Sequence, residues 1–178
     1  CPLTNNLCYV LAVEKLLGLT PPPRAVYARV LLNELSRIAS HLVWLGTHAI
    51  DIGAMSVFLY CFREREEILK IFELVSGQRM MTSYIRVGGV ALEAPRGWQE
   101  RVGKFIKAFP SKVDQYEELL NANPIWVRRT QGVGFMAVED MLDMGITGPM
   151  LRAAGIDWDS RKKEPYSGYD KFDFRVPV

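Results

Sequence analysis

The stretch "LNELSRIASHLVWLGTHAIDIGAM", residues 32–55, decides the fold, because its apolar side chains recur at helical spacing. The pattern predicts a long helix from about Arg24 to His48, with an apolar stripe of Val26, Val30, Leu31, Leu35, Ile38, Leu42 and Leu45. One acid, Asp51, stands in the uncharged run between Arg37 and Arg63. Burying an unpaired charge costs several kcal/mol, so Asp51 must be either solvated or paired.

Similar periodicity predicts three further helices on either side of this one. The first runs from Leu3 to Leu17 and stops at Gly18, and another follows Gly53 and ends at Gly77. A fourth is predicted from about Trp98 to Asn121, with a kink at Pro110 because proline cannot donate a helical hydrogen bond.

The last third of the chain is rich in glycine and reads as irregular. We predict a short helix at 138–144 and short strands at 125–129 and 171–176. The fold class is therefore mostly α: a bundle of about four long helices, with an irregular C-terminal part that carries short strands. We divide it into a helical core, 1–122, and an irregular segment packed on that core, 123–178.

Composition narrows the class of protein. The 178 residues are 49% hydrophobic and 24% charged, which fits one globular domain, and a net charge of +2 gives no argument for a nucleic-acid partner. The three cysteines lack C-x-x-C spacing, so they indicate neither a disulfide framework nor a zinc site. No stretch resembles a transmembrane helix or a signal peptide. The first and last residues read as those of an internal fragment of a longer subunit.

A polar stripe on the long helix is the main candidate feature. Ser36, Ser40, Val43, Thr47 and Asp51 follow one another at three- or four-residue intervals and so share one face. Such a face can line a cavity or a second protein. The alternative is that Asp51 caps the segment that follows it.

Histidines and charges elsewhere have simpler interpretations. His41 and His48 are too far apart to share a metal in a straight helix, but His48 could pair with Asp51. The alternating charges from Arg63 to Lys70 predict a solvated face with pairs such as Arg63 with Glu67. In "YIRVGGV", residues 84–90, Arg86 either clamps loop carbonyls or polarises a neighbouring group.

Five motifs in order resemble one known family: "LAVEKLLGLTPPPRA", "LNELSRIASHLVWLGTHAIDIGAM", "FREREEILKIFELVSGQRM", "YIRVGGV" and "GPMLRAAGIDWDSRKKEPYSGYDKFDF". The family is the hydrogenase-large-subunit-like, D-type subunit of NADH:quinone oxidoreductase, or respiratory complex I. The resemblance implies a hydrogenase-like fold. It also implies that the chain acts as an enzyme only as part of the complex and that the isolated fragment is inactive.

The resemblance also implies roles for single residues. Asp51 matches an aspartate that pairs with the quinone-site histidine, and we treat it as the catalytic candidate. The implied quinone-binding set is Cys1, Pro2, Val43, Thr47, Asp51, Phe62 and Met80. Cys1 and Pro2 are implied to follow immediately the family's quinone-binding tyrosine, and Arg86 is implied to lie near the partner's cluster. Family members often carry a histidine just after the "QRM" motif, where this chain has Met81 and Thr82.

The implied surroundings are those of a respiratory complex. Quinone is the substrate, and the iron–sulfur clusters and FMN are held by partner subunits, with no cofactor or metal bound by this chain. The partners are the cluster-bearing subunit, other peripheral-arm subunits and the membrane arm, at the cytoplasmic face of the cell membrane or on the matrix side in mitochondria. Two alternatives stay open: the large subunit of a related membrane-bound nickel–iron hydrogenase complex, and a structural scaffold.

Overall fold

The computed structural model describes all residues from 1 to 178 and is mostly helical, which confirms the predicted fold class. Two compact units divide it, Cys1–Gln131 and Gly132–Val178. In the first unit the elements are α1 (Pro2–Leu17), α2 (Pro23–Ile52), α3 (Met55–Ser76), β1 (Ile85–Arg86), β2 (Gly89–Val90), α4 (Trp98–Ala108), α5 (Pro110–Leu120) and α6 (Pro124–Thr130).

The centre of the first unit is a hairpin of the two longest helices. α2 ends at Ile52 and is followed by Gly53, whose φ of 107° suits a residue without a Cβ, and α3 begins two residues after Gly53. The helices approach closely at Gly46, where a Cβ would come 3.3 Å from the Cα of Phe58. Glycine at this position therefore lets the backbones of α2 and α3 pack together.

Apolar stripes on three helices form the core around this hairpin. The stripe predicted for α2 is confirmed at Val30, Leu35 and Leu42, which are buried. The residues that complete the core from α1 and α3 are Leu3, Leu7, Val10, Val57, Cys61, Ile68, Leu69, Ile71, Phe72 and Val75. The end of α1 is different, since Leu16 and Leu17 are exposed.

The fourth predicted helix is present in two pieces, α4 and α5. They meet at Phe109 and Pro110, as the predicted kink requires. Both pieces contact α3, and the buried Tyr116 and Leu120 of α5 face the interior.

The strand predicted at 125–129 is wrong, because these residues lie in α6. The side chain of Asn123 accepts hydrogen bonds from the backbone N–H groups of Ile125 and Trp126, which caps a helix. Pro124 then occupies the first helical turn, where its fixed φ is favourable. Local capping therefore outweighs the β preference of Ile125 and Val127.

The strands of the structure lie instead within the "YIRVGGV" stretch, residues 84–90. β1 and β2 form a two-stranded antiparallel hairpin, in which Ile85 pairs with Val90 and Arg86 with Gly89. Gly88 has a φ of 80°, a value typical of the tight turn of a hairpin. The backbone N–H of Ile85 also donates to the side-chain oxygen of Asn6, which ties the hairpin to α1.

The second unit contains the short helices α7 (Val138–Asp143), α8 (Pro149–Ala153) and α9 (Ser160–Lys163), and a 3₁₀ turn at Tyr169–Lys171. The helix predicted at 138–144 is therefore confirmed, ending at Asp143. The strand predicted at 171–176 is wrong. No other strand pairs with this segment, and the ring of Phe174 packs instead under the charged groups of Arg161 and Lys162.

Asp159 organises the second unit. It is buried, accepts from the guanidinium groups of Arg152 and Arg161, and caps α9 through the backbone N–H of Arg161. These hydrogen bonds hold the pKa of the Asp159 carboxyl below its usual range. The predicted division of the chain at 122 and 123 stays a prediction, and the two units are described separately.

Candidate functional site

A cavity of about 380 Å³ lies where the first turn of α1, the middle of α2, α3 and the segment after α3 meet. It brings together four of the predicted quinone-binding residues: Cys1, Pro2, Val43 and Met80. The other lining residues are Ser36, Ala39, Ser40, Trp44, Arg65, Leu69, Phe72 and Met81. Arg65 is the only charged side chain among them, so the wall is largely apolar, as is usual for small-molecule sites.

The polar groups of this wall from α1 and α2 satisfy one another. The hydroxyl of Ser40 donates to the backbone carbonyl of Ser36, 2.9 Å away, and lies 2.8 Å from the Cys1 sulfur. Cys1 is exposed, whereas Ser36 is buried. The start of α1 is therefore linked to α2 at the edge of the cavity.

The polar stripe on α2 lies partly in this cavity and partly at the solvent-exposed surface. Ser36, Ser40 and Val43 line the cavity, whereas Thr47 and Asp51 lie outside it and are exposed. The Thr47 hydroxyl donates to the carbonyl of Val43 at 2.8 Å and so is occupied by its own helix. The predicted cavity wall thus covers only the first three positions of the stripe.

Asp51 lies in the last turn of α2 and does not cap the next helix. The residue at the N-cap of α3 is Ala54, and no side chain caps it, so the capping alternative is wrong. The predicted pairing with His48 is also absent, because His48 stacks on Trp44 and meets the edge of Trp126. Exposure to solvent removes the desolvation cost that a buried Asp51 would carry.

Phe62 is half-buried close to Arg65 on α3, outside the residues that line the cavity. The guanidinium carbon of Arg65 lies 5.5 Å from the centre of the Phe62 ring, and the ring also packs on Phe58 at 4.1 Å. Phe62 therefore supports a residue of the cavity wall.

The solvated face predicted from Arg63 to Lys70 is only partly correct. Lys70 pairs with Glu67 at the surface, but Arg63 pairs with Glu64 at 2.6 Å, so the predicted contact of Arg63 with Glu67 is wrong. Arg65 turns towards the cavity. Its spacing from Phe62, Leu69 and Phe72 places it on the apolar face of α3, a signal that the alternation of charges concealed.

Glu64 forms a buried cluster away from the cavity. Its carboxylate accepts a hydrogen bond of 2.5 Å from the hydroxyl of Tyr116, and both side chains are buried. Burial and the Glu64 carboxylate raise the pKa of Tyr116 above its usual value. Burial, with a smaller effect of Glu64, likewise raises the pKa of the Cys61 thiol to about 11. These groups anchor α5 to α3 and do not line the cavity.

Arg86 is not the clamp of the hairpin loop, because Arg29 has that role. Arg29 is fully buried and donates to the carbonyls of Arg86 and Gly89. It also makes two hydrogen bonds to the carboxylate of Glu14, which in turn accepts the N–H of Gly88. The side chain of Arg86 is exposed and lies outside the cavity. Sequence reasoning missed the pair because its members lie on different helices.

A larger groove of about 720 Å³ separates α3 from α4 and α5. Cations and anions both line it, including Arg101, Lys104, Lys112, Glu67 and Glu100. It contains none of the predicted site residues, and its mixed charge favours no class of ligand. No cluster of three or more histidine, cysteine or acidic side chains suited to a metal ion occurs in the structure. None of its helices has the length and apolarity that crossing a membrane requires.

Comparison with known proteins decides the family. The sequence model of the respiratory-chain NADH dehydrogenase 49 kDa subunit matches residues 51–178. The chain belongs to this family. The matched range includes Asp51, Phe62, Met80 and Arg86, whereas the α2 wall of the cavity precedes it.

Relatives of the 49 kDa subunit family match the whole chain, and each is a D-type subunit of an NADH-quinone oxidoreductase. The relative from Solibacter usitatus is 71% identical over 177 residues, which are 99% of this chain and 43% of the relative. One from Koribacter versatilis is 68% identical over 178 residues, 100% of this chain and 44% of the relative. The one from Geobacter sulfurreducens is 54% identical over 177 residues, with 99% and 45% covered. The chain thus spans less than half the length of these relatives.

Proposed function

We propose that this chain forms part of the quinone-reducing site of an NADH:quinone oxidoreductase that translocates protons. The observation that carries the proposal is the cavity at the start of α1, which gathers Cys1, Pro2, Val43 and Met80 beside a single cation. The family resemblance independently implies quinone binding for these four residues. The family and the names of the relatives support the same function.

In this proposal the chain supplies the wall that holds the quinone headgroup. Reduction of a quinone to a quinol takes two electrons and two protons, and the electrons come from NADH through the flavin and iron–sulfur clusters of partner subunits. The apolar side chains of Val43, Leu69 and Met80 exclude water from the headgroup. Exclusion of water strengthens any hydrogen bond made to the quinone oxygens.

Asp51 is proposed to act through a histidine outside this sequence. Its position at the exposed end of α2 leaves its carboxylate available to a neighbouring group. A carboxylate beside an imidazole favours the charged form of the imidazole and fixes its tautomer. Asp51 is therefore a positioning residue, and Thr47, one turn earlier, extends the same surface.

The proposed partners are the cluster-bearing subunit, the other peripheral-arm subunits and the membrane arm, at the cytoplasmic face of the cell membrane or on the matrix side in mitochondria. Arg86 is exposed on the hairpin, which suits its proposed place near the partner's cluster. The relatives are all quinone oxidoreductase subunits, which favours quinone over nickel–iron chemistry. In a purely structural scaffold we expect Ser40 and Val43 to be packed against other side chains, whereas here both line a cavity.

Replacing Val43 with tryptophan in the assembled complex tests the cavity. The indole fills the space beside Ser40, so NADH:quinone reductase activity should fall by about tenfold or more, the effect of roughly 1.4 kcal/mol on the barrier. NADH oxidation with ferricyanide, which does not need the quinone cavity, should stay unchanged. Ala12→Trp, at an exposed position on α1, is the control. Unchanged quinone reduction by the Val43→Trp complex would refute the proposed site.

Replacing Asp51 with asparagine tests the proposed pairing. Loss of the carboxylate should lower the pKa of the paired imidazole by about one unit or more, since a neighbouring opposite charge shifts a pKa by that amount. The alkaline limb of the pH–rate profile for quinone reduction should therefore move by about one unit to lower pH. Asp51→Glu should keep the original profile, and an unshifted profile for Asp51→Asn would argue against the pairing.

A further inference from the structure

Arg65 is the only charged residue of the cavity wall, and no acidic side chain of the chain forms an ion pair with it. Its Nε is buried and has no hydrogen-bond acceptor, and its guanidinium makes no ion pair. The neighbouring acid, Glu66, is already paired with Arg79. A guanidinium keeps its proton under all ordinary conditions and so requires an acceptor.

The surroundings of Arg65 hold it in place. Its guanidinium lies over the ring of Phe62 at 5.5 Å, a cation–π contact, and Leu69 follows one turn later on the same face of α3. Desolvation by burial, together with the nearby charge of Arg79, lowers the pKa of Arg65, and the nearby carboxylate of Glu66 offsets this only in part. The lowered pKa means that the charged guanidinium of Arg65 is less well solvated here than in water. A hydrogen bond to an oxygen acceptor would therefore stabilise the charged form.

The cavity wall contains no acidic side chain that could accept a hydrogen bond from Arg65. The neighbouring polar side chains there are the hydroxyl of Ser40 and the thiol of Cys1, which already contact each other. A neutral ligand with carbonyl oxygens suits an apolar cavity with one cation, whereas a strongly hydrated anion suits it poorly.

We propose that Arg65 donates a hydrogen bond to a carbonyl oxygen of the quinone in this cavity and positions its headgroup. This inference rests on the proposed function and adds a binding residue that the resemblance does not imply. Arg65 gives up neither proton nor electron. Its bond to the oxygen strengthens as electrons arrive, because negative charge develops on that oxygen during reduction.

The test uses the complete complex with a short-chain quinone that the wild type reduces. Arg65→Met should raise the KM for the quinone and lower kcat/KM by about tenfold or more, the effect of losing a hydrogen bond to a charged group. Arg65→Lys should recover part of the loss. Lys70→Met, which removes an exposed cation from the same helix, is the matched control and should match the wild type.

Chemical rescue separates binding from a structural role. Guanidinium ion at millimolar concentration should restore quinone reduction to Arg65→Ala, because it can occupy the vacated position, and should have no such effect on Lys70→Met. Loss of assembled complex with an unchanged KM would overturn the inference and assign Arg65 to an ion pair with another part of the assembly. An unchanged kcat/KM in Arg65→Met, with quinone reduction by Val43→Trp still lowered, would overturn only the role of Arg65. If Val43→Trp is active as well, the cavity itself is not the quinone site.

Discussion

Replacing Arg29 with methionine is expected to lower the free energy of unfolding by about 3–5 kcal/mol, the usual cost of breaking a buried ion pair from one side. Arg29 is fully buried, and its loss leaves the carboxylate of Glu14 without its partner at 2.7 Å. The carbonyls of Arg86 and Gly89 also lose their donor, so the β hairpin loses its attachment to α2. Urea unfolding followed by circular dichroism measures the change.

An exposed ion pair provides the matched control. Arg24 pairs with Glu93 at 2.8 Å, but both side chains are largely exposed, and pairs of this kind contribute at most about 1 kcal/mol. Arg24→Met should therefore unfold at nearly the same urea concentration as the wild type. Replacing Arg29 and Glu14 together by apolar residues should recover much of the loss, since no charge then remains buried. Equal stability of Arg29→Met and Arg24→Met would contradict the clamp.

Acid should weaken the same contact. The hydrogen bonds from Arg29, helped by the N–H of Gly88, hold the pKa of the Glu14 carboxyl below its usual value of about 4.3. A depressed pKa in the folded state adds stability above the pKa of the unfolded chain, and this stability is lost as the pH falls through the lower, folded pKa. Glu14→Gln should therefore show a flatter decline of the free energy of unfolding below about pH 4.

Periodicity in the sequence was sufficient to predict the long helices. The spacing of apolar residues depends only on the geometry of a single helix over a few turns. The stripe of Val30, Leu35 and Leu42 lies on one side of α2 whatever packs against it, and Pro110 breaks its helix by local sterics. The strand predicted at 125–129 failed for a local reason too. The cap from Asn123 and the following proline outweigh β preference, which depends on a neighbouring strand that is absent here.

The candidate site was only partly predictable because its parts come from distant positions. The residues of the cavity were implied by family resemblance, while the geometry that joins Cys1 to Ser40 became visible only in three dimensions. Arg65 was missed because the run of alternating charges suggested a solvated face. The spacing of Arg65 from Leu69 and Phe72 in the sequence nevertheless places it on the same face of the helix. The pair of Glu14 and Arg29 had no local signal, since the two residues lie on different helices.

Replacing Tyr116 with phenylalanine is expected to lower the free energy of unfolding by about 1.5–3 kcal/mol, the usual range for a hydrogen bond to a charged group. The Tyr116 hydroxyl is 2.5 Å from the Glu64 carboxylate, and both side chains are buried between α3 and α5. Phenylalanine fills nearly the same volume, so the loss measures the hydrogen bond rather than packing. Tyr9→Phe is the control, because Tyr9 is exposed and its hydroxyl makes no hydrogen bond within the chain.

Alkaline pH distinguishes this hydrogen bond from a general weakening of the core. Burial and the Glu64 carboxylate raise the pKa of Tyr116 in the folded state above the value of about 10 that it has in an unfolded chain. The stability that Tyr116 contributes is therefore complete below about pH 10 and is lost as the pH rises further, by about 1.4 kcal/mol per pH unit. The wild type should lose its advantage over Tyr116→Phe in that range, while Tyr9→Phe should continue to follow the wild type. A constant difference between the wild type and Tyr116→Phe from about pH 7 to 11 would mean that folding does not raise the pKa of Tyr116, which contradicts a hydrogen bond from its hydroxyl to a buried carboxylate.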